Sequence, residues 1–156
     1  MPNEIFIKHA EKKIRFISAM LKKNGRKILT NYPITHSQFI ALQWIAEQEN
    51  LTVGELSKKI GLAFSTTTDL VDRMESHQLI KRVRDVQDRR VVRIQTLDKG
   101  REIIQEVIGE RREYLNRVLN NLTTQQQDEL NTILDLLYEL MNADDKRMLD
   151  QEQHNS

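Results

Sequence analysis

The sequence predicts a mainly α-helical protein with one small β-hairpin, an α+β fold, in a chain of 156 residues. Apolar residues recur every three or four positions through most of the chain, which is the period of a helix with one buried side. Residues 79 to 95 instead contain two β-rich runs, LIKRVR and VVRIQ, around the polar link DVQDRR, and this pattern indicates a hairpin. Only two prolines and five glycines interrupt the chain, which favours helices.

Capping signals place the first two helices. The first is predicted over residues 5 to 29, and it ends before Pro33 because proline disfavours helical backbone in the residue that precedes it. The second begins at a capping box, in which the side chains of Thr35 and Gln38 each bond to the backbone N–H of the other residue.

A helix-turn-helix is predicted next. Thr52 and Glu55 form a second capping box, which starts a short helix that stops at Gly61. The following stretch, LAFSTTTDLVDRMESHQLI, predicts a helix that begins with a cluster of hydroxyl residues. Since such residues are mediocre helix formers, the cluster is either a simple cap or a surface that approaches a ligand closely.

Two further helices are predicted after the hairpin. The first begins with Thr96 or Asp98 as the cap residue, and the second begins at a third capping box, Thr123 with Gln126. From Asp144 the chain is polar and is expected to be frayed. The terminal helices carry more apolar surface than a small monomer covers, which predicts that two chains pair symmetrically and bury it.

Composition excludes several classes of function. The absence of cysteine excludes disulfides, cysteine zinc sites and thiol redox sensing, and the four histidines have no metal-ligand spacing. Neither a metal nor another cofactor is therefore expected. No Ser-His-Asp spacing, paired-carboxylate motif or phosphate-binding glycine loop occurs, so the protein is not expected to be an enzyme. No signal-peptide core and no apolar stretch of about 18 residues occurs, which predicts a soluble cytoplasmic protein with no membrane partner.

The formal net charge of +1 hides a segregated distribution. Residues 81 to 93 carry six cationic side chains against two aspartates, whereas acidic residues predominate beyond residue 123. Such a bipolar molecule indicates an anionic partner at its basic end, and ordinary solvated faces are the alternative explanation.

The predicted order of short helix, tight turn, helix and hairpin is that of a DNA-binding helix-turn-helix followed by a β-wing. In such motifs the N-terminal end of the second helix enters the major groove, where small hydroxyl side chains allow close approach to base edges and phosphates. On this helix the predicted DNA contacts are Ser65, Thr66, Thr68, Asp69 and Arg73. The Asp69 carboxylate favours the amino group of a cytosine, and Arg73 reaches the DNA backbone.

The predicted hairpin loop is thin and rich in arginine, which suits the narrow and strongly negative minor groove. Its predicted DNA contacts are Arg84, Asp88, Arg89 and Arg90. Asp88 is an anion in a DNA-facing loop, and we expect it to orient the Arg90 guanidinium by a bidentate contact. The other cations of this segment, Lys81, Arg82 and Arg93, are assigned only to the general positive field.

Residues 51 to 100 resemble the winged-helix core of the MarR family of transcriptional regulators, on the motifs LVDRMESHQLIKR, DVQDRR and DKG. The flanking helices also fit the family layout, so the resemblance covers nearly the whole chain. It implies an obligate dimer of interlocked terminal helices, with Arg90 in the minor groove beside Asp88 and with Arg73 near the DNA backbone. The chain departs from the family pattern at Thr67, where an apolar residue is usual, and at Asp69, where a basic residue is frequent.

The predicted organisation is an N-terminal dimerisation helix (1–33), a winged helix-turn-helix domain (34–97), C-terminal dimerisation helices (98–143) and a polar frayed tail (144–156). The predicted function is that of a sequence-specific transcriptional regulator, a homodimeric repressor that binds double-stranded DNA at a palindromic operator. The resemblance also implies release by a small-molecule effector. Two alternatives stay open: a helical interaction module whose basic hairpin docks an acidic protein partner, and an effector-independent architectural or activating DNA-binding factor.

Overall fold

The computed structural model describes residues 1–154 and confirms the predicted α+β fold, with six α-helices and one two-stranded sheet in this range. In chain order the elements are α1 (Glu4–Leu29), α2 (His36–Glu47), α3 (Val53–Ile60), α4 (Phe64–Ser76), β1 (Ile80–Arg84), β2 (Val92–Thr96), α5 (Asp98–Leu119) and α6 (Thr124–His154). The chain divides into two compact units, Met1–Glu113 and a second that begins at Tyr114. The division into dimerisation and DNA-binding parts stays a prediction, because compactness does not assign a function to either unit.

Side-chain capping determines where α2 and α6 begin, as the sequence predicts. At α2 the Gln38 N–H donates to the Thr35 hydroxyl (3.2 Å), and the Thr35 N–H donates to the Gln38 side chain (3.0 Å). Thr123 and Gln126 form the same two bonds at the start of α6. Each box satisfies an N–H group that the start of a helix otherwise leaves unpaired.

The predicted box at α3 is one-sided. The Thr52 hydroxyl accepts a hydrogen bond from the Glu55 N–H (3.1 Å), but the Glu55 carboxylate pairs with Arg93 of β2 at 3.5 Å. A guanidinium competes for this carboxylate more effectively than a neutral backbone N–H does. The end of α3 at Gly61 is as predicted, since a φ of 68° is the left-handed conformation that glycine adopts without steric strain.

The C-terminal segment differs from its prediction. The chain from residue 144, which we expected to be frayed, continues α6 as helix to His154. An ion pair between Arg147 and Asp144 (2.7 Å) joins successive turns of this stretch. Asn155 and Ser156, the end of the predicted tail, lie outside the described residues.

The start of α5 has neither of the predicted side-chain caps. The helix begins at Asp98, whose carboxylate accepts a hydrogen bond from Arg101, and the Leu97 carbonyl accepts the first helical N–H, also from Arg101 (3.1 Å). Thr96 belongs to β2, where it pairs with Ile80, so its side chain points into the core. Its hydroxyl is buried and has no partner among the described residues.

Apolar side chains of α2, α3, α4 and the hairpin meet in one core within the first unit. Its fully buried members from these elements are Phe39, Ala41, Leu42, Ile45, Leu56, Val71, Met74, Ile80 and Ile94. The two strands pair antiparallel, with Ile80 opposite Thr96 and Arg84 opposite Val92. Ile94 also forms an antiparallel bridge with Leu51, which precedes α3. The core therefore holds α4 and the hairpin on a common support.

Large apolar side chains stay exposed on both terminal helices. On α1 they are Ile5, Phe6, Ile7, Ile14, Phe16, Ile17, Met20 and Leu21, and on α6 they are Ile133, Leu134, Leu136, Leu137, Tyr138, Leu140, Met141, Met148 and Leu149. No side chain described for α6 is buried. Exposed apolar surface of this extent marks an interaction surface, but no helix within residues 1–154 is long and apolar enough to cross a membrane.

Gly100 allows α5 to pack directly against the backbone of Leu79. A Cβ atom at this position would lie 2.4 Å from the Leu79 carbonyl oxygen and 3.1 Å from Leu42 Cδ1 and Thr96 Cγ2. A backbone oxygen in a packed core cannot move aside as the end of a flexible side chain can, so this crossing requires glycine. Gly109 also lies in α5, but a Cβ atom at this position would have no atom of the described residues within 4 Å.

We predict that Gly100→Ala lowers the free energy of unfolding by about 3 kcal/mol, at the upper end of the usual range for an overpacked core. The matched control Gly109→Ala should raise it by about 0.5–1 kcal/mol, because alanine is the better helix former. Urea unfolding of both variants at one protein concentration measures the two effects. Equal stabilities would contradict the close packing at Gly100.

Candidate nucleic-acid interface

The N-terminal end of α4 is exposed and has no side-chain cap among the described residues. Ala63 occupies the cap position, and its methyl group cannot accept a hydrogen bond. Ser65 and Thr66 are exposed, and their hydroxyls form no hydrogen bond within residues 1–154. The hydroxyl cluster is therefore not a helix cap, which was the simpler of the two explanations for it. The first N–H groups of α4 stay open to an external acceptor.

The hydroxyls of the next two threonines donate hydrogen bonds to backbone carbonyls at the start of the same helix. Thr67 is fully buried, and its hydroxyl donates to the Ala63 carbonyl (2.9 Å). This bond explains how a polar residue occupies a position that is usually apolar, because burial without a partner would be unfavourable. Thr68 is half-buried and donates to the Phe64 carbonyl (3.0 Å), so its hydroxyl can only accept from an external partner.

Asp69 and Arg73 are exposed one turn apart on the outward side of α4. Neither side chain forms an ion pair or a hydrogen bond in the described part of the chain. Asp72 differs, because its carboxylate contacts Arg82 of β1. Of the acidic residues in the middle of α4, only Asp69 is thus available to an external partner.

Arg82 joins α4 to the hairpin, which corrects its assignment to the general positive field. Its terminal nitrogens contact the carboxylates of Asp72 (2.5 Å) and Glu75 (2.9 Å), and its backbone N–H donates to Glu75 (2.8 Å). Partial burial alone would lower the pKa of Arg82, but the bonds to the two carboxylates outweigh it and raise the pKa. The sequence could not indicate this role, because Arg82 resembles its cationic neighbours until the fold brings the two acids beside it.

Asp85 organises the hairpin loop, a role that was not predicted for it. One carboxylate oxygen accepts from the N–H groups of Gln87 (2.8 Å) and Asp88 (3.0 Å), and the other accepts from Arg93 Nε (2.9 Å). The Asp88 N–H, the Arg93 guanidinium and the Gln87 N–H hold the pKa of Asp85 below its ordinary value. The sequence does contain a signal for this role, because an aspartate in a polar turn often accepts a hydrogen bond from the backbone N–H two residues later.

Arg93 is also structural, which is a second correction to the predicted positive field. Besides Asp85, it contacts the Asn50 carbonyl (3.2 Å) and the Glu55 carboxylate (3.5 Å). It therefore connects the hairpin to the start of α3. With Arg82, it removes two of the six cations of this segment from the charge that an external partner meets first.

Arg90 projects from the loop with its side chain 92% exposed. Its Nε lies 3.2 Å from Asp88 Oδ1, and its backbone N–H donates to the same oxygen (3.1 Å). The expected contact between these residues exists, but it uses one nitrogen of the guanidinium and is not bidentate. The two terminal nitrogens of Arg90 form no hydrogen bond among the described residues and can donate to a ligand.

Arg84 and Arg89 are both exposed at the base of the loop. Arg84 Nη1 donates to the Arg89 carbonyl (3.1 Å), so one of the predicted DNA contacts also closes the loop across its base. The structure thus places five predicted contacts on α4 and four in or beside the hairpin loop, with Arg82 between the two groups. Their roles on DNA stay predictions.

We predict that Asp85→Ala increases the hydrogen-exchange rates of the Gln87 and Asp88 amides about fivefold, because both lose their acceptor. Because its pKa is lowered in the folded loop, the Asp85 carboxylate stabilises the loop fully at a pH above its ordinary pKa. This stabilisation is lost as the pH falls through the lowered pKa, so exchange measured near neutral pH reports the full contribution. The control is Asp88→Ala, which removes only the acceptor of Arg90. Similar exchange in the two variants would argue against Asp85 as the organiser of the loop.

Comparison with known proteins agrees with this geometry. Residues 34–92 match the sequence profile of the MarR family. The HTH-type transcriptional regulator YsmB of Bacillus subtilis (strain 168) is 52% identical over 116 residues, which are 74% of this chain and 80% of YsmB. The transcriptional repressor MprA of Escherichia coli (strain K12) is 29% identical over 119 residues, which are 75% of this chain and 68% of MprA.

The similarity extends to three dimensions. A solved MarR family protein from Bacillus stearothermophilus superposes with a TM-score of 0.86 at 50% sequence identity, and the match covers 91% of this chain and 99% of that one. A sequence identity of 50% over nearly complete chains indicates membership of one family and not only a shared fold class. The chain therefore belongs to the MarR family of winged helix-turn-helix transcriptional regulators, which are not enzymes.

Proposed function

We propose that this chain is a cytoplasmic regulator that binds double-stranded DNA sequence-specifically, as a homodimeric repressor at a palindromic operator. The observation that carries the proposal is a set of unpaired polar groups on two elements that are fixed to each other. Ser65, Thr66 and Asp69 on α4 have no side-chain partner among the described residues, and neither have the terminal nitrogens of Arg90. The ion pairs of Arg82 hold α4 and the hairpin together.

In this proposal α4 lies in the major groove with its N-terminal end toward the bases. Ser65 and Thr66 are short enough to let the backbone approach, and the open N–H groups of the first turn suit a phosphate. The Asp69 carboxylate accepts from a cytosine amino group, while Arg73 on the same side contacts the DNA backbone. Thr68 contributes as an acceptor only, because its hydrogen is already donated to Phe64.

The hairpin loop occupies the adjacent minor groove. Arg90 enters it, because a narrow groove concentrates negative potential and favours an inserted guanidinium. Asp88 restricts the direction of that side chain through Nε and leaves its terminal nitrogens for the DNA. Arg84 and Arg89 contact the flanking phosphates, and the bond between them keeps the loop closed.

We infer that two chains pair through the exposed apolar surfaces of their terminal helices. Both α1 and α6 display rows of large apolar side chains, and α6 has no buried side chain in its described part. A symmetric pair would bury these surfaces and hold two copies of α4 roughly 34 Å apart, one helical turn of DNA. A palindromic operator follows from that symmetry.

Leu140→Glu should weaken the dimer by more than about 3 kcal/mol, because each chain then places an unpaired charge in the apolar contact. The control Asn142→Glu adds the same charge to a polar position of α6 and should leave association unchanged. Sedimentation equilibrium across a dilution series measures both. A wild-type chain that is monomeric at micromolar concentration would refute the homodimer.

We also propose that a small anionic effector releases the DNA. The supporting observation is Arg111 of α5, a half-buried guanidinium that lies 4.9 Å from the centre of the Phe39 ring. Desolvation lowers its pKa, and it has no carboxylate partner among the described residues. An aromatic carboxylate would supply both the missing charge and an apolar body. Unchanged operator affinity in the presence of a panel of aromatic carboxylates would count against this part of the proposal.

The proposed function is tested by selection from random duplexes. We expect wild-type protein to enrich one palindromic sequence, and Asp69→Ala to enrich a related sequence that differs at one base pair of each half-site. The change should exceed any loss of affinity, since Asp69 discriminates between bases and contributes no phosphate contact. The same sequence from both proteins would show that Asp69 does not face bases.

Arg90→Ala should weaken operator binding by about 2 kcal/mol, roughly thirtyfold, with an unchanged unfolding transition. Asp88→Ala should cause a nearly equal loss because Arg90 is then no longer oriented. The measurement is fluorescence anisotropy on operator and random duplexes across a salt series. Affinity for random DNA should fall steeply with salt, since phosphate contacts release counterions.

Arg147→Ala is the matched control, because it removes one positive charge from α6, outside the winged helix-turn-helix. Tighter binding by Asp88→Ala would mean that Asp88 only repels DNA. Weak binding that does not change with salt would favour the alternative of a hairpin that docks an acidic protein. Transcription that rises when the protein occupies its site would favour an activator over a repressor.

A further inference from the structure

Three large apolar side chains are exposed in the winged helix-turn-helix, and all three lie in or directly beside the segments proposed to face DNA. Within residues 34–97 they are Leu62 (39% exposed), Phe64 (62%) and Val86 (97%). Leu62 lies in the turn before α4, Phe64 is the first residue of α4, and Val86 lies in the hairpin loop. Every other large apolar side chain of this range is buried or half-buried. Exposed aromatic surface at this place therefore needs an explanation other than core packing.

Phe64 is the largest of the three and is oriented by its neighbours. Its carbonyl accepts the Thr68 hydroxyl, which holds the first turn of α4. Its ring atom Cε2 lies 4.0 Å from the position that a Cβ at Gly54 would occupy, so one edge of the ring rests beside α3. The rest of the ring is exposed, next to Ser65 in the chain. An apolar surface thus continues the row of unpaired polar groups at the start of α4.

We propose that Phe64 contacts the C5-methyl group of a thymine in the major groove and is a base-specificity residue of this regulator. The inference rests on the proposed function, since it requires α4 to lie in that groove. Among the major-groove edges of the four bases only thymine presents a methyl group, and an aromatic ring gains by covering it. The donors and acceptors of the other bases would lose water against the ring without gaining a hydrogen bond.

A protein partner explains this surface less well. A stable protein interface buries about 800 Å² on each side, and the apolar side chains at the start of α4 are flanked by the unpaired hydroxyls of Ser65 and Thr66. Those hydroxyls and the open N–H groups of the first turn suit a partner that offers acceptors beside a small apolar group. A thymine in a duplex offers a methyl group, a base oxygen and phosphates within one step of the helix.

The test replaces each thymine of the selected duplex in turn by deoxyuridine, which lacks only the methyl group. For wild-type protein we expect affinity to fall about fourfold at one thymine of each half-site, the effect of leaving one buried methyl group unburied. Phe64→Ala should bind the thymine duplex less tightly and should show equal affinity for thymine and deoxyuridine at that position. Phe64→Leu should restore part of the discrimination, because it restores an apolar side chain.

The control variant is Val86→Ala, because thymine presents no methyl group in the minor groove and the discrimination should therefore persist. Wild-type affinity that is unchanged at every position overturns the inference without any variant, so a folding defect of Phe64→Ala cannot obscure the result. Discrimination that persists in a folded Phe64→Ala overturns it as well. In both cases the selected sequence leaves the proposed function standing, whereas a selection that enriches no sequence removes the proposed function and this inference together.

Discussion

The contact on which the interface depends is the one between Arg82 and the two acids of α4. A single guanidinium reaches Asp72 and Glu75, which lie on one side of the helix, and the backbone of Arg82 is bound to Glu75 as well. A planar group with several donors restricts angle as well as distance. Among the described residues no other ion pair or side-chain hydrogen bond joins α4 to the hairpin, and the apolar packing that the two elements share is less directional. The contact therefore fixes the angle between α4 and the hairpin as well as the distance between them.

The charged side chains of the basic hairpin therefore stabilise its structure as well as provide positive charge. Arg82 and Arg93 are committed to ion pairs inside the domain, and Arg84 closes the loop that carries Arg90. Asp85 and Asp88, which seem to weaken a positive surface, hold the loop backbone and the Arg90 side chain. Counting charges in this segment overstates the field that an approaching polyanion meets and understates how well the loop is ordered.

Local signals were sufficient to predict most of the fold. The boxes at Thr35 and Thr123 and the glycine at Gly61 depend on neighbours within three residues, so the sequence contains all the information they need. Two predictions were wrong because a distant residue intervened. Glu55 turns from its own helix to Arg93, and Arg82 gains its role only when β1 meets α4. Arg90 was correctly paired with Asp88, because those two residues are neighbours in sequence, but the number of bonds depends on the shape of the loop.

Thr67 and Thr68 of α4 form hydrogen bonds that serve the fold, whereas neighbouring positions of the same short helix stay exposed. Thr67 is satisfied inside the core, and the Thr68 hydroxyl is bonded back to the helix. The exposed side chains of Ser65, Thr66 and Asp69 instead form no hydrogen bond or ion pair among the described residues. Substitutions at exposed positions usually change stability by less than about 0.5 kcal/mol. Mutation can therefore alter these three positions without endangering the fold, whereas Asp72 and Glu75 of the same helix are needed for the contact with Arg82. A lineage with this domain can therefore vary these positions while its scaffold is inherited unchanged.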